Sequence, residues 1–133
     1  MNSIMDTFEA ISTRRAIKKF DNTYKMTSEQ VESLMKLAIL SPTSYNQQNW
    51  RFVTITDEQI KNKISIAARN QSQPADGSLV ILLCGNLSAW KDEPLRYWKN
   101  STDEKQQHVK NALERKYSDS PENRRDEAMR SCG

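Results

Sequence analysis

Leu79-Val80-Ile81-Leu82-Leu83-Cys84 is an unbroken apolar run opening after the polar stretch Asn70 to Gly77 and closing at Gly85. Polar and apolar residues do not alternate along it, so it predicts a central strand buried on both faces. A second strand signal, Arg51 to Thr56, is rich in aromatic and β-branched residues. Two strands do not make a self-sufficient sheet, so helices must supply the cover. The pattern is that of an α+β domain short of pieces.

Helix signals surround the two strands. Ser3 to Thr13 places Ile4, Phe8 and Ile11 on one face at helical spacing. Thr27-Ser28-Glu29-Gln30 has capping-box character and opens a helix carrying Val31, Leu34, Met35 and Ala38. Pro42 stops that helix near Leu40. Thr56 or Asp57 caps a further helix, with Ile60, Ile64 and Ala67 on its inner face. Thr102 to Tyr117 reads as a polar helix carrying His108 as a surface residue, and Ser120-Pro121 is a good helix start. The residues from Ala128 to Gly133 look like the opening of a helix rather than its end. Cys84 is expected in the core, and Trp90, Tyr97 and Trp98 as aromatic anchors for the charged stretch around them.

Apolar residues are unevenly spread. Of 25 Leu, Ile, Val and Phe in the 133 residues, 23 fall within 1–95. Residues 96–133 hold only Val109 and Leu113, among nine basic and seven acidic side chains. The reading is one domain, 1–133, with a core-forming part (1–95) and a charged helical excursion (96–133). A net charge of +3 is too small to demand a nucleic acid or a membrane as partner. No run approaches the roughly 18 apolar residues of a spanning helix. Asp6 and Glu9 interrupt any signal-like start, so the expected location is cytoplasmic. Two cysteines make no disulfide framework, and a single His leaves no multi-histidine metal site.

Three polar constellations could carry chemistry. Arg14, Arg15 and Lys18 offer forked donors and a point charge to a phosphate. Ser41-Pro42-Thr43-Ser44-Tyr45-Asn46-Gln47-Gln48-Asn49-Trp50 presents hydroxyls and amides in close order, fit for a polar planar ligand. Asn70-Gln71-Ser72-Gln73 precedes the apolar run. Taken singly, these are also what a solvated basic face and two ordinary turns look like.

Together, in this order and spacing, they resemble the FMN-dependent nitroreductase family. The run Arg14-Arg15-Ala16-Ile17-Lys18-Lys19-Phe20 matches its basic start, and Ser41 to Phe52 matches its loop-into-strand motif. The resemblance covers about residues 7–90 and implies that family's α+β fold, helices around a mixed or antiparallel sheet. It implies FMN as cofactor, with Arg14, Arg15 and Ala16 at the phosphate and ribityl end and Lys18 toward the pyrimidine edge. Thr43, Ser44 and Asn46 would contact the flavin, largely from a partner subunit, with Gln48 beside them. Asn70 and Gln73 would hydrogen-bond the pyrimidine side of the ring. Ala16 stands where the family carries Ser, and Asn49 where it carries Pro.

The implied activity moves hydride from NAD(P)H through FMN to a nitroaromatic, quinone or similar acceptor. The flavin itself does the chemistry, and no protein acid or base is required. The implied assembly is a homodimer with FMN at the subunit interface. The unfinished last helix and the two-strand sheet suggest the N-terminal two-thirds of such a protein. The alternative reading is a flavin-free, non-catalytic remnant acting as a binding or interaction domain.

Overall fold

Side-chain caps mark where the longer helices begin in this computed structural model, which describes residues 5–133. Helix α1 (Thr7–Thr13) starts because the Asp6 carboxylate accepts from Phe8 N at 3.2 Å. The helix expected from Ser3 thus begins later. Met5 and Asp6 are not helical, and Ser3 and Ile4 lie outside the described residues. Helix α2 (Ser28–Ala38) opens on the predicted capping box. Gln30 N donates to Thr27 Oγ1, and Thr27 N donates to Gln30 Oε1 at 2.9 Å. Helix α3 (Glu58–Ala67) is capped by Asp57 rather than Thr56, its carboxylate accepting from Ile60 N at 2.9 Å. Helix α6 (Asp103–Tyr117) begins at Thr102, and α7 (Pro121–Cys132) at Ser120 with Pro in its first turn. Two short helices, α4 (Gln73–Asp76) and α5 (Ala89–Asp92), complete the set.

The sheet is one antiparallel pair. Strand β1 (Trp50–Ile55) runs against β2 (Val80–Gly85), with Trp50 opposite Gly85 and Ile55 opposite Val80. The central strand predicted from the apolar run is therefore corrected. With a single neighbour among the described residues, β2 leaves Leu82, Leu83 and Cys84 exposed.

The chain divides into two compact units. The first joins the described residues up to Lys25 with Thr56–Leu79. Here α3 packs on α4, and the most deeply buried side chain of α3 is Lys61 rather than the expected Ile60, Ile64 or Ala67. Ile60 stays exposed. Phe8 and Ile11, the expected inner face of α1, are 81% and 71% exposed.

The second unit holds Met26–Ile55 and Val80–Gly133. Helix α7 lies against both strands and against α6. Val109, Leu113 and Tyr117 form the buried cluster, joined by Tyr45, Trp90, Leu95 and Trp98. These three fall on one face of α6 at steps of four. The part richest in charge thus supplies five of the six buried apolar side chains among the described residues: Val109, Ala112, Leu113, Tyr117 and Ala128. The apolar count put the core in residues 1–95; of those, only Trp50 is buried among the described apolar side chains. Ala128 to Cys132 do not open a helix of their own; they belong to α7, which already starts at Pro121, and Ala128 packs on Gly85, where an added Cβ would meet the Ala128 Cβ at 2.8 Å.

Leu113 is 1% exposed. Leu113→Ala should therefore lower unfolding free energy by about 2–5 kcal/mol, measured as a fall in urea midpoint at constant m.

Candidate functional site

Two polar loops carry every left-handed backbone among the described non-glycine residues. Tyr45, Asn46 and Gln48 have φ of 52°, 52° and 47°, while Arg69 and Asn70 have 60° and 58°. None of the chain's glycines takes a positive φ. L-residues in this region cost of order 1–2 kcal/mol each and persist where surrounding contacts hold them. These residues fall in or beside two of the three constellations picked from the sequence, the loop at 41–50 and the turn at 70–73.

The first loop follows α2 and contains a short 3₁₀ turn, Ser44–Asn46. Gln48 N donates to Thr43 Oγ1 at 2.9 Å, and Gln48 Nε2 donates to Asn46 Oδ1 at 3.0 Å. Trp98 Nε1 donates to Tyr45 O at 2.9 Å. Lys116 Nζ donates to Ser44 Oγ at 3.3 Å and to Glu127 Oε2 at 3.2 Å, and Tyr117 Oη donates to that same oxygen. The Tyr117 phenol beside it, then the Glu127 carboxylate, raise the Lys116 amine above its ordinary value, against partial burial. Asn86 N donates to Asn49 O, extending the strand ladder into the loop. Thr43, Ser44, Asn46 and Gln48 are thus gathered in one turn, with Thr43, Asn46 and Gln48 joined by mutual bonds and Ser44 held by Lys116.

The second loop sits in the first unit. Asn70 is exposed, and Gln73 opens α4 half-buried. The basic segment also belongs to this unit, leaving α1 without helix or strand. Arg15 Nη1 donates to the carbonyls of Ser12 and Arg14, both at 2.9 Å. Arg14, Ala16 and Lys18 are exposed, and no ion pair engages Arg14 or Lys18 among the described residues.

Buried polar atoms without partners mark where something else is needed. Gln47 Nε2, Asn49 Oδ1, Gln73 Oε1 and Trp90 Nε1 are such atoms among the described residues. Leaving such a group unpaired costs about 1–3 kcal/mol. Gln47 lines a cavity of about 280 Å³ with Arg51, Asp92 and Arg96. Glu93 lines the same cavity and pairs with Arg96 at 3.5 Å, while Arg51 Nη1 donates to the carbonyls of Gln48 and Trp50. No group of three or more His, Cys, Asp or Glu side chains suited to a metal occurs among the described residues. No helix there is long and apolar enough to cross a membrane.

Sequence reasoning missed Gln47 and Asn49, although both stood in the quoted motif. It also missed Lys116, which lies 72 residues from Ser44 and has no local signal. Trp90 and Trp98 do anchor the charged stretch, whereas Tyr97 stays exposed beneath Arg96.

Arg69 is exposed and left-handed, so Arg69→Gly should raise stability by up to about 1 kcal/mol, read as a higher urea midpoint. Glu58 is held below the ordinary carboxylate range, first by Lys25 at 2.6 Å and then by Lys61 at 3.2 Å. Its folded value lies below its unfolded one, so its contribution is present above pH 4.5 and fades on acidification below that. The stability gap between the wild type and Glu58→Gln should be open at neutral pH and close in acid.

Comparison with known proteins supplies the remaining inference. The model of the nitroreductase family matches residues 11–133. Protein DrgA of Synechocystis is 42% identical over 129 residues, covering 97% of this chain and 61% of that protein. An oxygen-insensitive NADPH nitroreductase of Helicobacter acinonychis is 34% identical over 77 residues, covering 57% of this chain and 37% of that one. A protein of Exiguobacterium sibiricum, crystallised in complex with FMN, superposes with a TM-score of 0.84 at 25% identity, covering 99% of this chain and 66% of its own. The chain thus spans less than two thirds of each relative's length. With the family model matched from residue 11 to residue 133 and helices packed around an antiparallel strand pair, the chain belongs to the nitroreductase family and has its α+β fold.

Proposed function

We propose that this chain binds FMN and forms part of an NAD(P)H-dependent oxidoreductase that reduces nitroaromatic, quinone or similar acceptors. The observation that carries the reading is the pair of strained, amide-bearing loops with buried polar atoms left unpartnered. Relatives named as NADPH and NAD(P)H nitroreductases, and the FMN complex of the Exiguobacterium protein, support it.

The residues present fit the cofactor. Gln73 Oε1 is an acceptor without a donor, which a pyrimidine N–H would satisfy. Asn70 adds an exposed amide to the same loop. Arg14 and Arg15 present forked donors suited to a phosphate, and Lys18 a mobile positive charge toward the pyrimidine edge. Thr43, Ser44, Asn46 and Gln48 form a prearranged polar rim, which on this reading serves the flavin of a second subunit. Bound FMN supplies the hydride chemistry, so the chain's work is to hold, orient and polarise. Fixed amide donors and a nearby cation favour the charge that builds on the pyrimidine edge during reduction. The homodimer belongs to the same proposal: Leu37 and Leu40 are 66% and 75% exposed and offer apolar surface to another subunit.

The test is a visible absorption spectrum of the purified chain after addition of FMN and desalting. About one flavin per chain should be retained, and NADH oxidation should follow. Arg14→Ala should weaken FMN binding about tenfold or more through the lost phosphate contact. A colourless chain that cannot retain added FMN defeats the reading.

A further inference from the structure

Helix α3 carries a strip of polar side chains, Glu58, Lys61 and Ser65, at helical steps of three and four. Lys61 is 0% exposed, unusual for a lysine. Its Nζ donates to Gly77 O at 2.7 Å and pairs with Glu58 Oε1 at 3.2 Å. One turn further on, Ser65 Oγ donates to Gln71 O. These two side chains therefore grip the segment that contains Gln73 near both its ends, at Gln71 and at Gly77. The gripped segment follows the left-handed pair Arg69 and Asn70 and includes α4. Within it, Gly77 N closes on Gln73 O at 2.9 Å. A Cβ at Gly77 would lie 3.0 Å from that carbonyl, so the turn is already tight.

Glu58 extends the strip the other way. Its Oε1 also accepts from Lys25 Nζ at 2.6 Å. Lys25 follows a turn in which Asp21 Oδ1 accepts from Thr23 N and Thr23 Oγ1, at 2.9 and 2.6 Å. One carboxylate thus ties Lys25, five residues beyond the basic segment, to the helix that grips the amide loop.

We propose that Lys61 and Ser65 are positioning residues for flavin binding, fixing Asn70 and Gln73 by holding the carbonyls at Gln71 and Gly77. Glu58 is the hub that ties the chain leaving the basic segment, at Lys25, to the same helix. This rests on the flavin reading above. A buried lysine spent on a main-chain carbonyl makes sense where a strained loop must keep one shape. Neither side chain touches the cofactor in this scheme; both act through the backbone.

The experiment uses the full chain in four forms: wild type, Lys61→Met, Lys61→Arg and Ser65→Ala. Three readouts apply: the FMN dissociation constant from flavin fluorescence, the visible circular dichroism of bound flavin, and amide hydrogen exchange of residues 70–77 in the flavin-free protein. Lys61→Met should weaken FMN binding about tenfold and change the dichroism, with Lys61→Arg recovering part of the loss. Ser65→Ala deletes one hydroxyl, so it keeps the test valid should Lys61→Met fold poorly. It should weaken FMN binding several-fold and speed exchange at 70–77. Lys36→Gln, which breaks an exposed pair with Glu32 on α2, should change none of these. Wild-type affinity and dichroism in Lys61→Met and Ser65→Ala would overturn the positioning role while leaving the flavin reading intact. Failure of the wild type to bind FMN would defeat that reading instead. The hold on the loop is then decided by exchange alone, where unchanged rates in both variants would overturn it.

Discussion

The Glu127 carboxylate is the interaction on which the second unit depends. It is 8% exposed and accepts from Tyr117 Oη at 3.1 Å and Lys116 Nζ at 3.2 Å. A buried carboxylate is costly unless its oxygens are matched, and removing one partner from such a group costs several kcal/mol. Those contacts fix α7 against α6, and α7 in turn covers the strand pair. Through Lys116 the same network reaches Ser44, in the loop with the left-handed residues. A two-stranded sheet that would be marginal alone is thereby made part of a packed unit.

Strain and glycine scarcity belong together here. With three glycines in the chain, the tight bends at 45–48 and 69–70 fall to Tyr, Asn, Gln and Arg. Each bend is held from outside. Trp98 and Lys116 bond the first, and Ser65 and Lys61 bond the segment that follows the second, at Gln71 and Gly77. Such loops resist relaxing into ordinary turns, which is what a preorganised binding surface needs.

Much of the local structure was legible in the sequence because its causes are local. The Thr27–Gln30 capping box, the Ser120–Pro121 start and the strand running on from Trp50 each follow from neighbouring residues. The apolar run was correctly placed as a strand, yet its burial on both faces was not met, because burial depends on which elements arrive beside it. The polar motif at 41–50 was legible as a candidate site. Its unpaired Gln47 and Asn49 atoms were not, since pairing is decided by distant backbone.

By itself the sequence determined most of the longer helices and both strands, with the caps at Thr27, Thr102 and Ser120, which polar clusters are candidates for chemistry, and the family to which the chain belongs. Capping, proline stops and motif spacing act within a few residues, so the order of amino acids suffices to read them. Tertiary structure alone decided that the charged C-terminal stretch, not the aliphatic N-terminal one, builds the buried cluster. Just two of the aliphatics are found there, but Val109 and Leu113 share one helical face with Tyr117, and Trp90 and Trp98 close over it. Burial follows from the face a residue presents and what packs against it, and composition records neither.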